Sequence, residues 1–181
     1  MYSHVVLLRG VNVGKAKRVP MVELTKLLRK LGCSEVATIL NSGNAVVAMS
    51  STSADKLARL TADALRSALG FEVHVVVKSS RTFRMIVSGN ELLSSSTNPS
   101  QLLVAFAQTS QALKALKLIS AAVRPPEQFL VGAHAAYLNC PKGILESKAA
   151  ESLLGRLEAG ITTRNWATVL KLQELLAARA A

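Results

Sequence analysis

The sequence of 181 residues predicts an α+β fold, in which a ferredoxin-like β-α-β-β-α-β unit is followed by a second small α+β unit. Three observations predict it. First, short apolar runs alternate with segments in which leucines have helical spacing over residues 4–78. Second, an Asn-Ser-Gly-Asn quartet at 41–44 separates two of the apolar runs. Third, a similar succession of segments follows residue 101. Half of the residues are apolar and only 4% are aromatic, so aliphatic cores are expected.

The elements of the first unit, residues 1–78, follow from these patterns. Strands are predicted where apolar residues form short runs or alternate with polar ones, and helices where leucines recur every three or four residues. Boundaries are predicted at Pro, Ser or Gly. The resulting order is a strand at 4–9, a helix from Pro20 to Gly32, strands at 35–40 and 45–49, a helix from Ser53 to Gly70, and a half-buried strand at 71–78.

The rest of the chain is predicted as a connection and a second half. Residues 79–101 contain a weak helix at 81–88 and a linker rich in Ser, Thr and Asn. The second half, residues 102–181, is predicted as a strand at 102–107, a helix at 111–123, a hairpin at 130–139, and two final helices near 146–158 and 164–179. Its order loosely echoes the first half, but no sequence repeat establishes a duplication.

The charge balance favours anionic partners. Lys and Arg total 22 against 11 acidic residues, for a net charge of +11, which suits a small anionic molecule or nucleic acid. The two cysteines have no metal-ligand spacing, and no apolar stretch reaches the roughly 18 residues of a membrane span. We therefore expect a cytoplasmic protein without cofactor, metal or membrane association. The sequence does not indicate its oligomeric state.

The stretch "LLRGVNVGK", residues 7–15, resembles a phosphate-binding P-loop but lacks its defining features. The two glycines are one residue too close, Ala16 stands where a metal-binding hydroxyl belongs, and the helix starts later, at Pro20. The strand before the loop is also expected in an antiparallel sheet. A simpler anion-binding loop remains, with Arg9, Asn12 and Lys15 as ligand contacts and Lys17 and Arg18 nearby. The alternative is a turn whose cations face water.

Two further stretches carry candidate ligand contacts. Ser42 and Asn44 lie in the quartet at 41–44, although a hairpin turn alone would require the same residue types. In "ITTRNW", residues 161–166, Thr163 is predicted to cap the last helix, so Arg164 and Asn165 would lie in its first turn. A cation there opposes the helix dipole, which favours an anion or a carboxylate in front of it. Lys148 could belong to the same basic surface.

We expect these residues to form one site. In a ferredoxin-like sheet the end of the first strand and the start of the third lie at the same end, so Gly10 and Asn44 should be close. The leading hypothesis is that a phosphate-bearing ligand, such as a nucleotide or nucleic acid, binds in a basic groove between the two halves. One alternative is an enzyme acting on a phosphorylated substrate, with Lys148 or Arg164 stabilising charge but no catalytic base identified. Another is a protein-interaction module in which the motifs are structural only.

Taken together, several stretches make the chain resemble the bacterial DUF1697 family, a domain of unknown function. They are "LLRGVNVGK", "VPMVEL" at 19–24, "LGCSEVATILNSGNAVV" at 31–47, "SK" at 147–148 and "TTRNWATVLKL" at 162–172. The resemblance runs from residue 5 to about 175 and implies two α+β halves, the first ferredoxin-like, with no established activity. The chain departs from the family pattern at Lys15, which follows Gly14 without a second glycine, at Ala167 in place of Asn, and at 89–98, which lacks the usual Asn-Pro form.

Overall fold

The structure, a computed structural model, describes residues 1–14, 17–96, 98–155 and 160–179. The chain divides into two compact units, of which unit 1 comprises Met1–Phe83 with Lys171–Ala181 and unit 2 comprises Arg84–Leu170. Each unit contains one four-stranded antiparallel sheet, so the predicted α+β class is confirmed. The segment from Lys171 onward groups with unit 1, whereas the sequence-based division assigns it to the second half.

The elements of unit 1 alternate in the order β-α-β-β-α-β. Leu24 and Leu28 of the first helix and Leu57 and Leu65 of the second belong to one buried cluster that includes Val6 of the central strand. The elements are β1 (Tyr2–Leu8), α1 (Met21–Lys30), β2 (Ser34–Ile39), β3 (Asn44–Met49), α2 (Ala54–Leu69) and β4 (Val75–Ser79), followed by α3 (Ser80–Ser88). The strands lie in the sheet in the order β2-β3-β1-β4.

The helix boundaries of unit 1 have the expected chemistry. The Oγ of Ser53 accepts a hydrogen bond from the amide of Lys56 at 3.2 Å and so caps α2. Gly70 ends the same helix in the left-handed region, with φ 76°. Pro20 is the residue before α1 and not its first residue, because its ψ of 133° is extended. The half-buried strand predicted from residue 71 starts later, at Val75.

Unit 2 repeats the same order of elements on a second sheet. The elements are a 3-10 helix Glu91–Ser95, β5 (Leu102–Ala107), α4 (Ser110–Ala115), a 3-10 helix Leu116–Ala122, β6 (Gln128–Val131), β7 (Ala136–Asn139), α5 (Lys148–Gly155), β8 (Ile161–Asn165) and α6 (Trp166–Ala177). The helix predicted at 111–123 is thus divided into an α-helix and a 3-10 helix. The strands lie in the order β6-β7-β5-β8, and the buried cluster of the unit includes Leu103, Ala105, Leu138 and Leu153.

The prediction that Thr163 begins the last helix is wrong. Ile161–Asn165 is an edge strand that pairs with β5, with Thr163 opposite Ala105. Two adjacent threonines after an isoleucine favour extended backbone, because β-branched side chains fit a pleated sheet better than a helix. The helix begins at Trp166 and is capped by Asn165, whose Oδ1 accepts a hydrogen bond from the amide of Thr168 at 3.0 Å.

In each unit, the strand that comes last along the chain leads directly into a helix, and the same kind of side-chain N-cap stabilises the start of that helix. In unit 1, Ser79 Oγ accepts from the amide of Thr82 at 3.1 Å and lies 2.9 Å from its Oγ1. In unit 2, Asn165 Oδ1 accepts from the amide of Thr168 at 3.0 Å and from its Oγ1 at 2.8 Å. A basic residue precedes each cap, Lys78 in one unit and Arg164 in the other. The two units therefore share element order, strand order and the same strand-to-helix cap.

Candidate functional site

The loop that follows β1 is held closed by Asn12. This residue has φ 58°, a left-handed conformation that Asn tolerates better than most side chains. Its Nδ2 donates to the carbonyl of Val19 at 2.9 Å and to the carbonyl of Asn41, and its Oδ1 accepts from the amide of Val19 at 2.9 Å. One side chain thus fastens the loop to Val19, two residues before α1, and to the turn before β3.

The turn at 40–43 packs directly against the end of β1. Leu7 pairs with Asn44, and the amide of Leu8 donates to the carbonyl of Gly43 at 2.8 Å. A Cβ on Gly43 would lie 2.5 Å from the Cβ of Leu8 and 2.9 Å from Cγ2 of Val11, so no larger residue fits there. The expected proximity of the first loop and the turn is therefore confirmed.

Asn44, the residue after this turn, is buried and hydrogen-bonded within the fold. It is fully buried, and its Nδ2 donates to the carbonyl of Ile39 at 3.2 Å and to Oγ of Ser42 at 2.9 Å. Ser42 itself is exposed. The arrangement matches the hairpin-turn alternative for the quartet, because the Asn44 amide closes the turn from inside and Ser42 remains accessible to solvent.

Two cations of the loop were predicted as ligand contacts. Arg9 is only 8% exposed, its amide donates to the carbonyl of His74 at 2.9 Å, and burial lowers the pKa of its guanidinium. Lys15 lies outside the described residues, as does Ala16. Arg18, a neighbour of these predicted contacts in the sequence, is exposed.

Arg18 lines a surface recess of about 380 Å³ beside the locked loop. Arg18 is the ionisable residue among the described lining residues, and residues 1–22 of the chain contain no Asp or Glu. The recess therefore has a positive charge without a compensating acid in its described lining. It is lined by Asn12, Gly14, Arg18, Val19, Pro20, Met21 and Asn41.

A second recess of unit 1 has the opposite balance. It has a volume of about 260 Å³, and its lining includes Asp63, Glu72, His74 and Arg66. Nη2 of Arg66 lies 3.2 Å from Oδ1 of Asp63, so this arginine already has an acidic partner. An anion entering here would meet two carboxylates, whereas the recess beside Arg18 offers none among its described residues.

In unit 2, Arg164 lies in the sheet and not at a helix terminus. It is 9% exposed, and its Nη1 donates to Oγ1 of Thr162 at 2.9 Å and to the carbonyl of Thr163 at 2.7 Å. Burial lowers the pKa of its guanidinium to about 10. The predicted position of Arg164 and Asn165 in the first turn of the last helix is thus wrong, and the argument from the helix dipole does not apply to them. Asn165 is the cap that precedes α6.

Lys148, the other candidate of unit 2, is exposed at the first position of α5. Ser147 before it caps the helix, because its Oγ accepts from the amide of Ala150 at 3.0 Å. Lys148 lines a recess of about 460 Å³ together with Arg124, Glu151, Ser152, Leu118, Ala121 and Ala122. The ionisable lining residues there are two cations and one carboxylate, so an anion would meet Glu151 as well as Arg124 and Lys148.

Metal and thiol chemistry have little support in the described parts of the chain. Among these residues no group of three or more His, Cys, Asp or Glu side chains could hold a metal ion, and none of their helices is long and apolar enough to cross a membrane. Cys33 and Cys140 are free, buried thiols, and burial raises the pKa of each.

The fold and the recess define a protein of two α+β units, the first of which carries a positively charged surface recess. The chain belongs to the family described as "protein of unknown function (DUF1697)", whose model matches residues 1–137. A search of curated proteins gives no match.

Two solved structures are similar to the chain. The conserved bacterial protein SP0830 from Streptococcus pneumoniae is 21% identical and has a TM-score of 0.78, with 97% of this chain and 98% of that chain covered. At this identity the likeness concerns the fold alone. An unknown protein from Galdieria sulphuraria is 16% identical over 90% of this chain and 96% of that one, with a TM-score of 0.26, too low to support an argument.

Proposed function

We propose that unit 1 binds a phosphate-bearing anion at the recess formed by the loop after β1 and the turn at 40–43. The observation that carries the proposal is the exposed Arg18 in a recess whose described lining contains no acidic residue. A guanidinium binds phosphate oxygens through two parallel hydrogen bonds, and this pairing is stronger where no carboxylate competes.

The locked loop supports the same function. Asn12 fastens the described part of the loop to Val19 and, through the carbonyl of Asn41, to the turn at 40–43. These contacts lower the entropy cost of ordering the recess when a ligand binds. Gly10 and Gly14 have φ of 62° and 64°, and a Cβ on either would meet no atom within 4 Å. The backbone beside the recess is therefore open, and a ligand can approach its amides closely.

The structure describes seven of the eight predicted contacts, since Lys15 lies outside the described residues. Asn12 and Asn44 hydrogen-bond within unit 1 and act as positioning residues in this proposal, whereas Asn165 caps α6 in unit 2. Arg9 and Arg164 are buried, and Ser42 and Lys148 are exposed. The groove between the halves remains a prediction, as do the cytoplasmic location, the absence of a cofactor and the enzyme alternative. The strand order of unit 1 supports the ferredoxin-like assignment.

Calorimetric titration with pyrophosphate tests the proposal. We expect saturable binding to the wild type and a loss of at least about tenfold in affinity in Arg18→Gln, because one charged bidentate contact disappears. The matched control is Arg66→Gln, which removes an exposed arginine from the acid-containing recess of the same unit. Equal affinity in all three proteins, or no binding to the wild type, would contradict the proposal.

The salt dependence of the binding affinity distinguishes a nucleic-acid ligand from a small anion. Binding of a nucleic acid through several phosphates weakens steeply between about 50 and 200 mM salt, whereas one small phosphate contact responds modestly. A single recess with one described arginine favours the small anion. A steep salt dependence with an oligonucleotide, retained in Arg18→Gln, would favour a nucleic-acid surface elsewhere.

The protein-interaction module is a second candidate, because one observation favours it. The side chains of Asn12, Asn44 and Asn165 are engaged within the fold, as expected if these motifs are structural only. This candidate predicts that pyrophosphate does not bind and that substitutions at the recess weaken association with a macromolecule. The pyrophosphate titration therefore separates the two functions.

A further inference from the structure

The recess beside Arg18 contains a second polar side chain that the fold leaves available. Asn41 lines the recess together with Arg18 and is exposed. Its backbone is held in place, because its carbonyl accepts a hydrogen bond from Nδ2 of Asn12. Its side-chain amide makes no hydrogen bond with any other residue that the structure describes. Asn12 uses both Oδ1 and Nδ2 within the fold, whereas Asn41 has a carboxamide that a ligand can reach.

Asn41 supplies a hydrogen-bonding function that Arg18 lacks. A guanidinium only donates, whereas a carboxamide offers two donors on Nδ2 and an acceptor on Oδ1. The described lining contains no carboxylate, and Oδ1 of Asn12 already accepts from the amide of Val19. Among the described lining residues, Oδ1 of Asn41 is therefore the available side-chain acceptor. An unprotonated phosphate oxygen has no hydrogen to give it, so the partner that fits is a donor elsewhere in the ligand.

The recess has room for such a donor beside a phosphate. Its volume of about 380 Å³ lies within the roughly 300–1,000 Å³ of typical small-molecule sites. A hydroxyl group matches the carboxamide, because it donates to Oδ1 and accepts from Nδ2. A protonated amine also donates to Oδ1, but Arg18 would repel it in a recess whose described lining has no acid.

We infer that the recess takes a hydroxylated phosphate monoester, such as a polyol or sugar phosphate, and that Asn41 is a specificity-determining residue for its hydroxyl group. The inference rests on the proposed binding of phosphate-bearing anions to unit 1. The phosphate lies against Arg18, and a hydroxyl of the organic part hydrogen-bonds to the Asn41 carboxamide. Because water competes for an exposed amide, this contact adds about threefold to tenfold to the affinity.

The test compares glycerol 1-phosphate with propyl phosphate by calorimetric titration of the full chain. Both probes are phosphate monoesters of a three-carbon chain, and they differ in the two hydroxyl groups that only glycerol 1-phosphate has. We expect the wild type to bind glycerol 1-phosphate about threefold to tenfold more tightly. Arg18→Gln should weaken both probes, because it removes the contact with the phosphate.

Substitutions of Asn41 test whether this residue causes the selectivity. Asn41→Ala should bring the two affinities together and leave that for propyl phosphate unchanged. Residue 41 has no positive φ and its carbonyl remains for Asn12, so we expect this variant to keep the turn. Asn41→Asp should weaken both probes, because it brings a carboxylate into the recess. Ser152→Ala is the matched control, since it removes an exposed polar side chain from the recess of unit 2 and should leave the selectivity unchanged.

The outcomes distinguish the two proposals. If neither probe binds the wild type, the proposed function fails and the inference fails with it. If both probes bind with equal affinity, phosphate binding stands and the preference for a hydroxylated ligand is overturned. If Asn41→Ala keeps the selectivity, or weakens both probes equally, the assignment of the hydroxyl contact to Asn41 is overturned. A loss of selectivity in Ser152→Ala would contradict its location in unit 1.

Discussion

Asn12 holds both backbone groups of Val19, donating to its carbonyl and accepting from its amide at 2.9 Å each. Val19 is fully buried, so neither backbone group has water as a ready substitute. The same side chain reaches the carbonyl of Asn41 in the turn before β3. This contact joins the three segments that form the recess, and it makes the stability of the loop and the shape of the recess depend on one residue.

Replacing Asn12 should destabilise the protein in two separable ways. Asn12→Gly keeps the left-handed backbone but removes the amide, and we expect a loss of about 2–3 kcal/mol because buried groups of Val19 lose their partners. Asn12→Ala should lose about 1–2 kcal/mol more, through strain at φ 58°. Urea unfolding of both variants measures the difference. A glycine variant as stable as the wild type would show that the hydrogen bonds contribute nothing.

Two glycines of unit 1, Gly43 and Gly10, should respond differently to alanine. Gly43→Ala places a Cβ 2.5 Å from the Cβ of Leu8, and we expect a loss of about 2–5 kcal/mol from the clash and the backbone strain together. Gly10→Ala is the matched control, because its φ of 62° is similar but no atom lies within 4 Å of the new Cβ. It should lose only about 1–2 kcal/mol. Equal losses, measured by urea unfolding, would contradict the close packing at Gly43.

The cap before α6 is Asn165 and not Thr163. Asn165→Ala should therefore lose about 1–2 kcal/mol, and Asn165→Ser should retain most of the stability because it keeps an acceptor. Ser79→Ala, at the equivalent position of unit 1, should lose a similar amount. Thermal unfolding followed by circular dichroism provides the measurement. If Thr163→Ala is as harmful as Asn165→Ala, the assignment of the cap is wrong.

The stability of unit 1 should depend on pH through His4. This side chain is 3% exposed, and burial lowers its pKa, with only partial opposition from backbone groups of Tyr2 and Thr52. In the unfolded chain His4 has its ordinary pKa near 6.5, so at a pH between that value and the lowered one the unfolded chain binds a proton that the folded chain does not. The free energy of unfolding is therefore not reduced by His4 above about pH 6.5, and it falls as the pH drops from there toward the lowered pKa of His4. Urea unfolding at pH 7.5 and 5.5 should show a decrease that is smaller in His4→Gln, and an equal decrease in both proteins would contradict the role of His4.

Much of the fold could be predicted because local signals and tertiary structure agree. Ser53 and Gly70 mark the ends of α2 as the sequence predicts, and the strand at 102–107 has its predicted bounds. The final strand is difficult to place from the sequence because Ile161–Asn165 is short and runs directly into a helix, and because Thr163, a residue type that can cap a helix, lies two residues before the actual cap. The useful signal was the run of β-branched residues before Asn165.

The proximity of the first loop and the turn at 40–43 was predictable, but the roles of their side chains were less so. Antiparallel topology places the end of β1 beside the start of β3, and the pairing of Leu7 with Asn44 agrees with this. Sequence alone does not distinguish a polar side chain that faces a ligand from one that closes a turn. The sequence therefore predicts Asn12 and Asn44 as ligand contacts, whereas both side chains donate hydrogen bonds to backbone carbonyls. The basic cluster in the sequence includes Arg18, but the exposure of this residue depends on how the loop folds and is not evident from the sequence.

The most direct measurement of phosphate binding at this recess is a diffraction experiment on a crystal soaked in sodium tungstate. The tungstate ion is a tetrahedral dianion with strong anomalous scattering. We expect an anomalous peak in the recess within hydrogen-bonding distance of the Arg18 guanidinium, and no peak there in crystals of Arg18→Gln. A peak elsewhere with an empty recess, or a recess peak that persists in Arg18→Gln, would contradict the proposed site.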